Sequence, residues 1–98
     1  MNTPTEFQDL VTEVMRAYPG AQFEFDPLPS GVCFFWVTLH DRYFVIEYAP
    51  SRGTGVSENH KDTPPFVGHD EVFDTLSEGV SRFRELLRRA AMLTSAAA

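Results

Sequence analysis

Hydrophobic positions recur along this chain with two periods, and the change from one to the other marks out its elements. Near the start, Phe7, Leu10, Val11, Val14 and Tyr18 fall three or four residues apart, the spacing of one helical face. Glu6, Asp9, Glu13 and Arg16 lie mostly off that stripe. Thr3 is the expected N-cap, with Pro4 at the first helical position and Glu6 as the capping-box partner. Pro19-Gly20 stops the helix.

The period then drops to two. Ala21, Phe23 and Phe25 alternate with Gln22, Glu24 and Asp26, the pattern of a half-buried strand, and Pro27-Leu28-Pro29-Ser30-Gly31 is turn chemistry. Val32 to His40 and Tyr43 to Ala49 are rich in β-branched and aromatic residues, which predicts a hairpin closed by Asp41-Arg42. In that register His40 faces Tyr43, Leu39 faces Phe44, Val37 faces Ile46 and Phe35 faces Tyr48. The other face pairs Thr38 with Val45, Trp36 with Glu47 and Phe34 with Ala49. One face is wholly apolar and the other mixed, as a sheet with helices on one side requires. Asp-Arg is not a favoured pair for a tight turn, so a longer loop with a shifted register is the alternative.

Pro50 to Gly55 reads as a loop, Gly55 to Glu58 as a short edge strand, and Asn59 to Pro65 as an irregular surface excursion. Phe66-Val67-Gly68 fits no single pattern. The last helix has two possible starts. Asp70 is one, giving the stripe Phe73, Leu76, Val80, Phe83 and Leu87. The preferred one is Thr75, with Glu78 closing a capping box and Glu71-Val72-Phe73 left as a final strand. The helix is expected to reach the neighbourhood of Leu93, with residues 94–98 frayed. The expected fold is a single two-layer α+β domain over residues 1–98, in the order α-β-β-β, up to two further strands, then α. Its antiparallel sheet has three to five strands with hairpin 32–49 at the centre, packed against both helices.

Composition narrows the function. With 98 residues there is room for one domain, and 43% hydrophobic residues, nine Phe among them, argue against a disordered chain. No apolar run is long enough to span a membrane, and the N-terminus has neither the basic start nor the apolar stretch of a secretory signal. The single Cys33 cannot form an internal disulfide, which favours a reducing, cytoplasmic setting. A net charge of −6 argues against nucleic acid. The charge is uneven: the first 81 residues carry 13 acidic and four basic groups, and the remainder one acidic and four basic. Arginines near a helix C-terminus would account for part of that asymmetry by complementing the helix dipole.

Candidate chemistry is sparse. His40-Asp41, His60-Lys61-Asp62 and His69-Asp70-Glu71 combine ligands suited to zinc or non-haem iron, but all fall in turns or polar loops, where such residues are common. Cys33 shares the apolar face with Phe35, Val37 and Leu39, so it reads as a small buried hydrophobe and not a nucleophile. Ser51-Arg52-Gly53-Thr54-Gly55 lacks the lysine and the following helix of a phosphate loop. Arg82, Arg84, Arg88 and Arg89 read as a solvated helix face paired with Glu78 and Glu85. No catalytic residue, metal site or cofactor is expected.

The mixed sheet face remains. Phe34, Trp36, Tyr43, Val45 and Glu47 have the make-up of a protein-interface core, unless the segment 59–66 covers them. The expected function is a small acidic protein-binding module of bacterial immunity type or phage-inhibitor type. It would occlude another protein, for which a basic one is a candidate, or associate with itself, without nucleic acid or membrane. The alternatives are a dimeric secretion chaperone, a small metal-dependent enzyme using the His/Asp loops, and a structural subunit of a larger assembly.

Overall fold

The computed structural model describes residues 3–40, 42–60 and 71–97, apart from the side chains of residues 59–60 and 93–97. The elements are α1 (Thr5–Ala17), β1 (Gln22–Pro27), β2 (Cys33–Leu39), β3 (Arg42–Ala49), β4 (Gly53–His60), β5 (Glu71–Phe73) and α2 (Leu76–Ala97). The five strands form one antiparallel meander in the order β1-β2-β3-β4-β5. Both helices cover the same face of it, as the two-layer reading requires. Of the expected excursion Asn59 to Pro65, residues 61–65 lie outside the described residues, as does Phe66-Val67-Gly68.

The alternation of the strands dictates that arrangement. Cys33, Phe35 and Val37 on β2, Phe44 and Ile46 on β3, and Val56 on β4 all point to the helices and are buried. From α1 they meet Phe7, Leu10, Val11 and Val14, and from α2 Val80, Phe83, Leu86, Leu87 and Ala90. Phe35 lies at the junction, with its ring 6.2 Å from Phe23 and 6.0 Å from Phe83. Full burial of side chains of this size stabilises by about 1.5–3 kcal/mol each.

The β2–β3 register differs from the expected one by two residues. Leu39 faces Arg42, Val37 faces Phe44 and Phe35 faces Ile46. His40 therefore belongs to the turn, where it takes a φ of +61°, a left-handed conformation to which His is better suited than most side chains. A slip of two preserves the side-chain parity of both strands, so every residue stays on its expected face.

Other local expectations change for similar reasons. Pro4 is the N-cap of α1, and Thr3 makes no side-chain cap. Instead the Cys33 thiol approaches the Thr3 hydroxyl at 3.7 Å, and Gln8 donates to the Thr3 carbonyl. Glu6, freed from capping, accepts a hydrogen bond from Ser77 on α2. By contrast, the capping box of α2 forms as read. The Glu78 N–H donates to Thr75 Oγ1 at 3.3 Å, and the Thr75 N–H donates to Glu78 Oε1 at 3.3 Å. β4 is longer than expected and internal, paired with β3 and β5, so β1 and β5 are the edges. The α2 backbone continues through Ala97, and alanine is the strongest helix former. Its last turn accordingly holds no basic residue, so the arginines do not serve the helix dipole.

Two of them, Arg82 and Arg84, tie α2 to other elements. Arg84 clamps Glu13 of α1 with contacts down to 2.8 Å, and Arg82 bridges Glu71 of β5 and Glu85. Hydrogen bonds to Glu71 and then Glu85 hold the Arg82 guanidinium above its ordinary pKa, and the bond to Arg82 holds the Glu85 carboxyl below the usual carboxylate range. Glu78 is engaged by Thr75, not by an arginine.

One close approach sets how near α2 lies to the sheet. A Cβ on Gly79 would collide with the side chain of Thr54 on β4, itself fully buried. Thr54 Oγ1 has no hydrogen-bond partner among the described residues. Gly79→Ala should therefore lower stability by about 1 kcal/mol or more, because overpacking outweighs the gain in helix propensity. Thr54→Val keeps the methyl contact and removes an unsatisfied hydroxyl, so it should raise stability by about 1 kcal/mol. Urea denaturation of both variants checks this; a stabilised Gly79→Ala protein would mean that α2 is not held against β4.

Candidate interaction surface

The meander builds its second face from three cross-strand rows. Gln22, Thr38 and Tyr43 lie in one, Glu24, Trp36, Val45 and Ser57 in the next, and Asp26, Phe34, Glu47, Gly55 and Val72 in the third. No helix of the described residues covers this face. The two β2 aromatics on this face thus have acidic neighbours directly across on β1: Glu24 beside Trp36, and Asp26 beside Phe34.

Four of the five residues expected at an interface reach the surface there. Trp36 is 41% exposed and Tyr43 39%, while Phe34 and Glu47 are half-buried. The Phe34 and Trp36 rings stack with centroids 6.1 Å apart and planes 14° from parallel, which presents a broad, stiff apolar plate. Val45 is different. At 5% exposed it offers no contact area, and Ser57 opposite it is 4% exposed. It occupies the middle of the sheet, flanked by Trp36 and Ser57 on the two neighbouring strands. The open parts of the face therefore flank this buried middle: the β1–β2 side with Trp36 and Tyr43, and Val72 on β5, which is 69% exposed. Glu24 and Asp26 belong to the β1–β2 side by position, although alternation within β1 alone marks them only as solvent-facing; the β1–β2 register is what sets them beside the aromatics.

The remaining candidates stay apart. Cys33 is buried at 1% exposure beneath α1, as its strand face predicts. His40 is an exposed turn residue, while the His60 side chain and His69 are outside the described residues. Among the described residues no cluster of three or more His, Cys, Asp or Glu could hold a metal. Arg52 borders a cavity of about 300 Å³ with Glu47, Ala49, Gly53, Thr54, Gly55 and Val72, at the β3–β5 end of the same face. The polar side chains in its lining are Arg52, Glu47 and Thr54. No helix of the described residues is long and apolar enough to cross a membrane.

Compared with known proteins, the chain matches no family model, and no curated protein or solved structure is significantly similar to it. Fold and surface together define a two-layer α+β protein whose sheet carries an aromatic and acidic face that no helix of the described residues covers.

Trp36 is the only tryptophan, so its exposure can be read directly. In the free protein, acrylamide should quench its fluorescence nearly as well as in the urea-unfolded chain. Strong protection in the native state would mean that the face is covered.

Proposed function

We propose that the protein is a non-catalytic binding module that occludes a basic surface of another protein with the β1–β2 side of its sheet. The observation that carries this reading is the pairing of aromatics that reach the surface with carboxylates. Trp36 and Phe34 form a stacked plate, and Glu24 and Asp26 lie directly across from them. An aromatic plate buries apolar area and attracts a cation over its face, and a carboxylate beside it completes the recognition of Arg or Lys. The net charge of −6 adds long-range steering towards a basic partner.

A module that works by covering a partner needs a rigid surface and no reactive group. This one is placed on the strands of a sheet whose opposite face is filled by the core. The reading extends to an inhibitor of immunity type or phage type in a bacterial cytoplasm, where small acidic proteins neutralise a basic toxin or nuclease by occlusion.

The partner is sought by pull-down from the native host with mass spectrometry, and its affinity is then measured against variants. Truncating a central Trp in such an interface costs about 2 kcal/mol or more. Trp36→Ala should weaken association by roughly 30-fold or more and leave the denaturation midpoint nearly unchanged. Unchanged affinity would sink the reading; a collapsed midpoint would show Trp36 to be part of the core instead.

A further inference from the structure

β1 is an edge strand, paired with β2 on one side and with no described strand on the other. Its outer row of N–H and C=O groups is a template for a further strand, and edges of this kind are normally blunted. The blunting visible here is charge: Glu24 and Asp26 project from β1 on the open face of the sheet, and Pro27 ends it. In the in-phase antiparallel register that would join most of β1 to a second copy, Glu24 would face Glu24 and Gln22 would face Asp26. Like charges directly opposite are destabilising, so the edge rejects its own kind.

The other side of the same edge is apolar. Phe25 stacks on Phe7 of α1, with centroids 5.9 Å apart, yet stays 38% exposed. Glu6 and Glu13 lie on one flank of α1, and both are bonded to α2, through Ser77 and Arg84. Gln8 and Met15 lie on the opposite flank, at about 100° per residue around the helix, and therefore on the side of the β1 edge. Met15 is 49% exposed. The edge thus offers open backbone groups between an acidic rim and an apolar rim.

We propose that β1 accepts an extended segment of the partner protein as a sixth strand, with basic residues alternating with apolar ones. The backbone would complete the hydrogen-bond ladder. Basic side chains would fall beside Glu24 and Asp26, and apolar ones would pack on Phe25 and Met15. Strand addition of this type draws affinity from main-chain hydrogen bonds and specificity from alternate side chains. The inference rests on the binding-module reading and gives it a recognition mode.

The probe is a short capped peptide alternating valine and lysine, matched to the six residues of β1, with an alternating valine–glutamate peptide as control. The lysine peptide should protect β1 amides from hydrogen exchange and shift their NMR signals. It should bind about tenfold or more tighter than the control. The double variant E24K/D26K, on exposed side chains, should keep the native circular dichroism spectrum and reverse the preference. Three outcomes would overturn the proposal: equal binding of the two peptides, an unreversed preference in E24K/D26K, or NMR shifts confined to Trp36 and Tyr43. None of them touches the Trp36→Ala result with the whole partner, so failure at the edge and failure of the aromatic face are read separately.

Discussion

Burial of one face of the sheet is the constraint on which the rest of this structure depends. Phe35, Ile46 and Val56 form a row across three neighbouring strands, and all three are fully buried. Nothing within the sheet can take them out of water, so both helices must lie on that side. Phe83 and Leu87 of α2, and Phe7 and Leu10 of α1, fill the layer without exposure. The consequence for function is indirect but strong. Both helices of the described residues lie on that face, which leaves the other to what the strands project from it.

The polar contacts between the helices have a different part. Glu6 with Ser77 and Glu13 with Arg84 are exposed, and exposed pairs contribute little stability, about 0–1 kcal/mol each. Their effect is orientation. By holding one flank of α1 against α2, they turn the other flank, with Gln8 and Met15, towards the β1 edge. The close approach of Gly79 to Thr54 acts similarly on α2, bringing it down onto β4 and leaving β1 to α1 alone. The aromatic plate and the strand edge lie side by side because β1 pairs with β2, and Glu24 belongs to both.

Local signals were legible where a few consecutive residues are sufficient. The Thr75–Glu78 capping box, the short strand before it and the inward face of Cys33 all follow from neighbouring residues and form as expected. The same logic misassigned Thr3 and Glu6, because a capping box competes with any better partner that the fold brings near. Here Ser77, distant in sequence, takes the Glu6 carboxylate. β4 outruns its sequence pattern because Gly53 to Glu58 has little hydrophobic alternation. Its strand character comes from being paired on both sides.

By itself, then, the sequence determined which side of β1, β2 and β3 is apolar and where the final helix begins, because parity and capping are properties of adjacent residues. The tertiary structure alone decided the register, since a slip of two residues leaves parity intact and only the turn at His40 and the packing of distant side chains can tell the alternatives apart. It also decided which aromatics are accessible. Val45 and Trp36 alternate identically in sequence and face each other across the hairpin, yet one is buried and the other open. Burial depends on what stands on the neighbouring strands, and no pattern within either strand contains that information.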